Sequence, residues 1–146
     1  MRKSKFLIPL LCFVLIIIIF RFVIFIGHVP SGSMEPTIPA GSTIIGIRIF
    51  SELHKGDIVV FKHDNTYMVK RIAACPCETI ENSITGELLT VPKNSYYVLG
   101  DNSANSYDSR YWENPYVIRA MLLLKYMIIC EISNYVAVKI IKFVLN

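Results

Sequence analysis

Residues 57–73 read DIVVFKHDNTYMVKRIA, two runs rich in β-branched residues joined by the polar residues HDN. Runs of this composition favour strands, and the polar residues between them favour a turn. Similar runs recur at short intervals, so we predict a mainly β fold, a small twisted β-barrel or sandwich. The predicted strands are 43–50, 57–62, 67–73, 87–91, 96–99 and 117–129, with turns at 54–56, 63–65 and 92–95.

The N-terminal residues 6–26, FLIPLLCFVLIIIIFRFVIFI, are apolar apart from Arg21. A helix of about 20 apolar residues crosses the roughly 30 Å hydrocarbon layer of a bilayer, so we predict one transmembrane helix over this stretch. A cleavable secretory signal is the alternative, but its apolar region would be shorter and would end at an A-x-A-like site. The residues that follow, GHVPS, are not such a site, and we favour a retained anchor.

Basic residues set the expected orientation of this anchor. They lie among residues 1–5, and positive residues tend to stay on the cytoplasmic side of a membrane. We therefore expect residues 1–5 in the cytoplasm, a single pass of the cell membrane over residues 6–26, and an extracytoplasmic working domain over residues 27–130. Residues 131–146 are amphipathic and are predicted to form a short helix that either docks on the barrel or lies on the bilayer.

The composition limits the possible partners and cofactors. The 146 residues have room for one compact domain beside the apolar segment. Much of the formal net charge of +4 belongs to the N-terminal residues and Arg21, so we expect no nucleic-acid partner. Histidines and cysteines lack the spacing of a zinc site, and we expect neither a metal nor a cofactor. The pairing of Cys75, Cys77 and Cys130 stays open, with free or buried thiols as the default expectation.

Two residues are candidates for acyl-transfer chemistry. Ser33 lies in PSGSMEPT, where glycine and proline can hold a hydroxyl at a fixed angle. A serine needs a base, and no histidine here is a convincing one. Alternation along a strand places Lys70 on one face with Met68 and Ile72, and burial there would lower its pKa so that the neutral amine could accept a proton. The alternative is an ordinary exposed strand lysine.

Four motifs follow one another along the chain: S-x-S-M-x-P-T, K-G-D-I-V-V-F, Y-x-V-K-R and G-D-N-S-x-N-S-x-D-S-R. Their order and spacing resemble those of type I signal peptidases. The resemblance implies Ser33 as nucleophile and Lys70 as general base, with the Ser31 hydroxyl and the Ser33 N–H as oxyanion hole. It also implies that Ser106 orients the lysine amine, and that Asp108 and Arg110 form a bracing ion pair in the loop that contains Asp101 and Asn102.

The same resemblance implies a membrane-bound serine endopeptidase that removes signal peptides from exported preproteins. Its expected partners are those signal peptides and the lipid bilayer, it is expected to act as a monomer, and its expected substrate-contacting residues are Met34, Pro36 and Met68. A peptidase dedicated to a pilin or conjugation substrate would share the dyad. A catalytically silent membrane scaffold is a further alternative, and a soluble self-cleaving repressor is disfavoured by the apolar segment.

The chain departs from the pattern of that family at three places. Cys77 stands where the family commonly has a turn glycine, so either the residue adopts a positive φ at some cost or the loop has another shape. The loop after Arg110 is more aromatic, and we expect Trp112 to pack on the core. The short connection between Lys70 and Gly100 indicates a minimal catalytic core.

Overall fold

The computed structural model describes residues 4–48, 52–124, 126–131 and 137–139. The predicted mainly β fold is confirmed. The strands are β1 (Ile24–His28), β2 (Thr43–Ile47), β3 (Ile58–His63), β4 (Thr66–Ala74), β5 (Thr79–Glu81), β6 (Leu88–Thr90), β7 (Ser95–Leu99), β8 (Tyr116–Ile118), β9 (Leu122–Leu124), β10 (Tyr126–Glu131) and β11 (Ala137–Lys139). One α-helix, α1 (Ser4–Ile18), precedes them, and the short 3-10 turns are Ser103–Asn105 and Arg119–Met121.

The single helix predicted over residues 6–26 is wrong in its extent. The α-helix ends at Ile18, a π-helical turn follows over Ile19–Val23, and Ile24 begins β1. Residues of β1 are largely β-branched or aromatic, and they pair antiparallel with β2, from Ile24 opposite Ile47 to His28 opposite Thr43. In the described part of the chain, no helix combines the length and the apolar character needed to cross a membrane.

The strands form three antiparallel sheets. The four-stranded sheet has the order β1-β2-β10-β11, the five-stranded sheet has the order β8-β7-β4-β3-β9, and β5 pairs with β6. Within the described residues each larger sheet has two edge strands, so the predicted barrel is not closed. The predicted turn between β3 and β4 is formed by Asp64 and Asn65, whose φ angles of 44° and 64° suit a two-residue hairpin connection.

Alternation along β3 gives each face of the five-stranded sheet its own core. Ile58 and Val60 face the four-stranded sheet, whereas Val59 and Phe61 face the opposite side. Between the two larger sheets lies the cluster Val29, Met34, Ile38, Ile44, Ile58 and Val60. The opposite cluster includes Trp112, which packs edge to face on Phe61 at a 6.0 Å centroid distance, as expected. Val29, Met34 and Ile38 belong to the loop after β1, so the cluster between the sheets holds that loop in place.

The C-terminal part of the prediction is corrected at two points. The strand predicted over residues 117–129 is divided, because β9 pairs with β3 in one sheet while β10 pairs with β2 in the other. The helix predicted over residues 131–146 is wrong where it can be compared, because Glu131 ends β10 and Ala137–Lys139 pair with that strand as β11. The remaining residues of that segment lie outside the described part.

The irregular turn after β4 keeps the backbone that a glycine would favour. Cys77 has a φ of 66°, and the Glu78 N–H donates to the Cys75 carbonyl at 3.1 Å. The Cys77 N–H donates to the Val91 carbonyl at 2.8 Å, which fixes the turn against the residue that follows β6. Both thiols of this turn are free. The positive φ is therefore retained with a side chain in place of a hydrogen.

Candidate active site

Ser33 lies in the loop between β1 and β2, and the buried side chains beside it hold that loop. Met34 and Ile38 are fully buried between the sheets. The Ile38 N–H donates to the Met34 carbonyl at 2.9 Å, and the Glu35 N–H donates to the Gly32 carbonyl at 3.2 Å. Among the described residues, the Ser33 N–H itself has no hydrogen-bond partner. The hydroxyl of Ser33 accepts a 3.4 Å hydrogen bond from Ser31.

Lys70 lies in β4 opposite Val59 and is 4% exposed. Its ammonium donates to the Ser106 hydroxyl over 3.0 Å. Burial lowers the pKa of Lys70 because the charged form loses its hydration, Asp108 partly opposes this change, and Arg110 adds to it. The net effect favours a neutral amine at a lower pH than a free lysine would allow.

Asp108 connects the lysine partner to the rest of the loop. It is 0% exposed, and one carboxylate oxygen accepts hydrogen bonds from the Ser106 hydroxyl at 2.6 Å and from the Gly100 N–H at 2.9 Å. Arg110 Nε donates to the other oxygen at 2.8 Å. Burial alone would raise the pKa of Asp108, but hydrogen bonds from Arg110, Gly100 and Ser106 outweigh it and hold that pKa below its usual value. The carboxylate therefore stays charged.

A cleft of about 660 Å³ brings these side chains together. Ser33, Lys70 and Ser106 line it, together with residues of β1 and the first half of β4. Its remaining walls are largely apolar and include Phe25, Val29, Ile44, Val60, Met68 and Val69. Such a cleft could hold an extended chain with small apolar side chains beside a hydroxyl nucleophile and an amine.

The family of the chain follows from a comparison with protein-family models. The model described as "Signal peptidase, peptidase S26" matches residues 2–89 and 82–129. The chain belongs to the S26 signal peptidase family. The resemblance stated from the four motifs is thereby confirmed.

Individual S26 relatives differ in name and in coverage. A "Probable signal peptidase I-2" of Synechocystis sp. is 33% identical over 117 residues, which cover 58% of this chain and 54% of that protein. A "Signal peptidase I" of Leptolyngbya laminosa is 32% identical over 119 residues, covering 58% and 59%. An "Inactive signal peptidase IA" of Staphylococcus aureus is 25% identical over 144 residues, covering 75% and 82%. The chain thus spans little more than half the length of the first two.

Some of the predicted site residues of this S26 chain line the cleft, and others lie outside its lining. Ser31, Ser33, Lys70, Ser106 and the substrate candidate Met68 all line the cleft. Asp108 and Arg110 form their ion pair behind Ser106. The other substrate candidates lie outside the lining of the cleft: Met34 is buried beneath the loop, and Pro36 is exposed on its outer side.

Sequence reasoning gave no partner to Arg71 or Asp101, and the structure joins them. Two guanidinium nitrogens of Arg71 donate to the two carboxylate oxygens of Asp101 at 2.8 and 2.6 Å, and a third donates to the Gly56 carbonyl at 2.7 Å. Burial would raise the pKa of Asp101, but hydrogen bonds from Arg71 and Thr37 lower it overall. Alternation in β4 could place Arg71 opposite Lys70, but no local signal identifies a partner 30 residues away.

Proposed function

We propose that this protein is a membrane-associated serine endopeptidase that cleaves signal peptides from exported preproteins. The observation that carries the proposal is the buried Lys70, whose pKa is lowered, in the same cleft as the hydroxyl of Ser33. A neutral lysine amine is a general base, and a serine hydroxyl beside it is a nucleophile. Membership of the S26 family supports the same chemistry.

The proposed reaction has two halves that use the same groups. Neutral Lys70 takes the proton of Ser33 as its hydroxyl oxygen attacks the scissile carbonyl, and the Ser33 N–H and Ser31 hydroxyl stabilise the oxyanion. The lysine then gives its proton to the leaving amine, and later activates the water that hydrolyses the acyl-enzyme. Lys70 is bonded to Ser106 in the structure, and in the proposed reaction a hydrogen bond between Lys70 and Ser33 forms once substrate excludes water from the cleft.

Strand edges supply the proposed binding mode for the substrate. Among the strands that the structure describes, β1 is at the edge of its sheet, and the pairing of β4 with β7 begins only at Arg71. The cleft lies along β1 and along residues 66–70 of β4. An extended peptide can add to such edges through backbone hydrogen bonds, with specificity from pockets for alternate side chains. The apolar walls favour small apolar side chains at the first and third positions before the cut.

The proposed membrane association rests on the surface of α1. Its apolar side chains are exposed around the helix, including Phe6 at 80% and Leu11 at 68%, and Phe22 and Ile26 continue this surface into β1. A helix that is apolar all round is stable in hydrocarbon but not in water. We propose that this surface contacts the bilayer with the catalytic domain on the extracytoplasmic side. Sharing a bilayer would raise the effective concentration of a tethered preprotein.

A second candidate function is peptide binding without turnover. The relative named inactive in Staphylococcus aureus is the observation that favours it, since it aligns over 75% of this chain. The same cleft could bind a signal peptide and release it intact. The presence of both Ser33 and Lys70 in the cleft of this chain favours the peptidase.

Cleavage of a preprotein by the full chain in detergent micelles tests the proposal. Wild type is compared with Ser33→Ala and Lys70→Ala, and the matched controls are Ser83→Ala and Lys62→Ala at exposed positions. We expect both dyad variants to lose about 1,000-fold or more in rate, and the controls to match wild type. Undiminished cleavage by either dyad variant would contradict the mechanism. Saturable binding of the signal peptide without cleavage by wild type would favour the second candidate.

A further inference from the structure

Asn102 makes two hydrogen bonds to the loop that contains Ser33. Its side-chain nitrogen donates to the Gly32 carbonyl at 3.1 Å, and its backbone N–H donates to the Ser33 carbonyl at 3.1 Å. These contacts join residues about seventy positions apart in the chain. They hold two consecutive carbonyl groups of the nucleophile loop in fixed directions.

The first of these carbonyls belongs to the same peptide unit as the Ser33 N–H. That peptide bond is trans, and a trans planar peptide directs its N–H opposite to its C=O. Fixing the direction of the Gly32 carbonyl therefore fixes the direction of the Ser33 N–H. The Glu35 N–H donates to the same carbonyl at 3.2 Å, so the peptide unit accepts two hydrogen bonds and is polarised by both.

The Ser33 N–H, whose direction is fixed in this way, is available to bind a ligand. Among the described residues, no acceptor is bonded to the Ser33 N–H, while the Ser33 side chain lines the cleft. Asn102 is itself fixed on both sides. Asp101 before it forms the bidentate ion pair with Arg71, and the Asn105 N–H donates to the Asn102 carbonyl at 3.0 Å. A fixed donor is what an oxyanion hole requires.

We propose that Asn102 is a positioning residue that orients the Ser33 N–H toward the oxyanion through its hydrogen bond to the Gly32 carbonyl. The proposal rests on the proposed peptidase function and adds a residue to it. Asn102 touches neither the substrate nor the reacting atoms. It acts on the transition state through the peptide unit between Gly32 and Ser33.

Kinetics of two variants test this role. Asn102→Ala removes the amide, and Asn102→Asp keeps its shape but replaces the donor with a charged acceptor that repels the Gly32 carbonyl. Loss of one oxyanion donor costs about 100-fold or more in kcat, so a misdirected donor should cost about 10- to 100-fold. KM should stay within about 2-fold, because the interaction forms only in the transition state.

Two comparisons separate orientation from a general loss of structure. The control Asn114→Ala removes an asparagine that also bonds a backbone group, the Tyr116 N–H at 3.3 Å, away from the cleft, and should keep wild-type kcat. The pH dependence of kcat should keep its position in Asn102→Ala, because Lys70 is bonded to Ser106 and not to Asn102. Asn102→Asp is left out of this comparison, because its added negative charge acts on the pKa of Lys70 directly. A shift of that profile, or wild-type kcat in Asn102→Asp, would overturn the assignment.

A resonance measurement distinguishes failure of this proposal from failure of the proposed function. The amide signal of Ser33 is recorded by NMR for the full chain in micelles, in wild type, both Asn102 variants and Asn114→Ala. We expect the Ser33 amide to shift in both Asn102 variants and to stay in place in the control. An unmoved signal would refute the orientation, whatever the enzyme cleaves. A wild type that cleaves no preprotein while this signal shifts would refute the peptidase function alone.

Discussion

Gly100 lies between the nucleophile loop and the residue that holds Lys70, so Gly100→Ala would place a methyl group at the centre of the site. The added carbon would overlap the Ser106 hydroxyl and lie 2.5 Å from both the Ser106 Cβ and the Ser33 carbonyl oxygen. Since carbon contacts shorter than 3.0 Å are essentially never found, these atoms have to move by about 0.5 Å or more. The movement would separate Ser106 from Lys70.

The expected magnitude follows from these displacements. A misplacement of about 1 Å at reacting groups can lower a rate by about 100-fold, so we expect kcat to fall by about 10- to 100-fold in Gly100→Ala. Overpacking should also lower the free energy of unfolding by about 1–3 kcal/mol. The assay is preprotein cleavage at a temperature where both proteins are folded, together with urea unfolding followed by circular dichroism.

Gly86→Ala is the matched control for stability. Gly86 has a φ of 71° with open space around the added carbon, so alanine there should lower the free energy of unfolding by about 1 kcal/mol through backbone strain alone. It should leave kcat per folded molecule at the wild-type value. Wild-type kcat in Gly100→Ala, or an equal loss of kcat in both variants, would refute the reasoning about the contact with Ser106.

Three further predictions concern Lys70 and the turn after β4. Lys70→Met should abolish cleavage yet raise the free energy of unfolding by about 1 kcal/mol, since it replaces a buried, desolvated amine by an apolar side chain while Ser106 still donates to Asp108; urea unfolding checks this, and a less stable variant would contradict it. Because burial lowers the pKa of Lys70, kcat should rise with pH through that pKa and fall on acidification. Stability should likewise rise with pH between the lowered pKa and 10.5, where the unfolded chain binds more protons, and a flat rate profile would exclude Lys70 as base. Cys77→Gly should raise the free energy of unfolding by about 1 kcal/mol by relieving the positive φ, and an unchanged thermal midpoint would argue against strain there.

Local features of this chain were predictable because they depend on neighbours in sequence. Alternation in β4 places Lys70 and Met68 on one face, and Arg71 on the other, whatever the rest of the chain does. The turn between β3 and β4 follows from the polar residues at its centre. At Cys77 the sequence leaves two alternatives, a positive φ or a loop of another shape, and the structure has the positive φ.

Features that depend on a pairing partner were not predictable in this way. Residues 24–26 are apolar and β-branched or aromatic, so they suit the end of an apolar helix or the start of a strand, and pairing with β2 decides for the strand. Residues 117–129 read as one strand, but the chain passes from the five-stranded to the four-stranded sheet within them. Ala137–Lys139 are a strand because β10 offers an edge.

The same division applies to the site. Sequence alone supplied Ser33, Lys70, Ser106, Asp108 and Arg110 as candidates, because each belongs to a motif that can be read along the chain. Only the tertiary structure shows the close contacts of Gly100, the ion pair of Asp101 with Arg71, and the hydrogen bond from Asn102 to the nucleophile loop. The contacts of Asp101 with Arg71 and of Asn102 with Gly32 join residues 30 and 70 positions apart. The spacing along the chain carries no information about such distances, which only packing of the two sheets establishes.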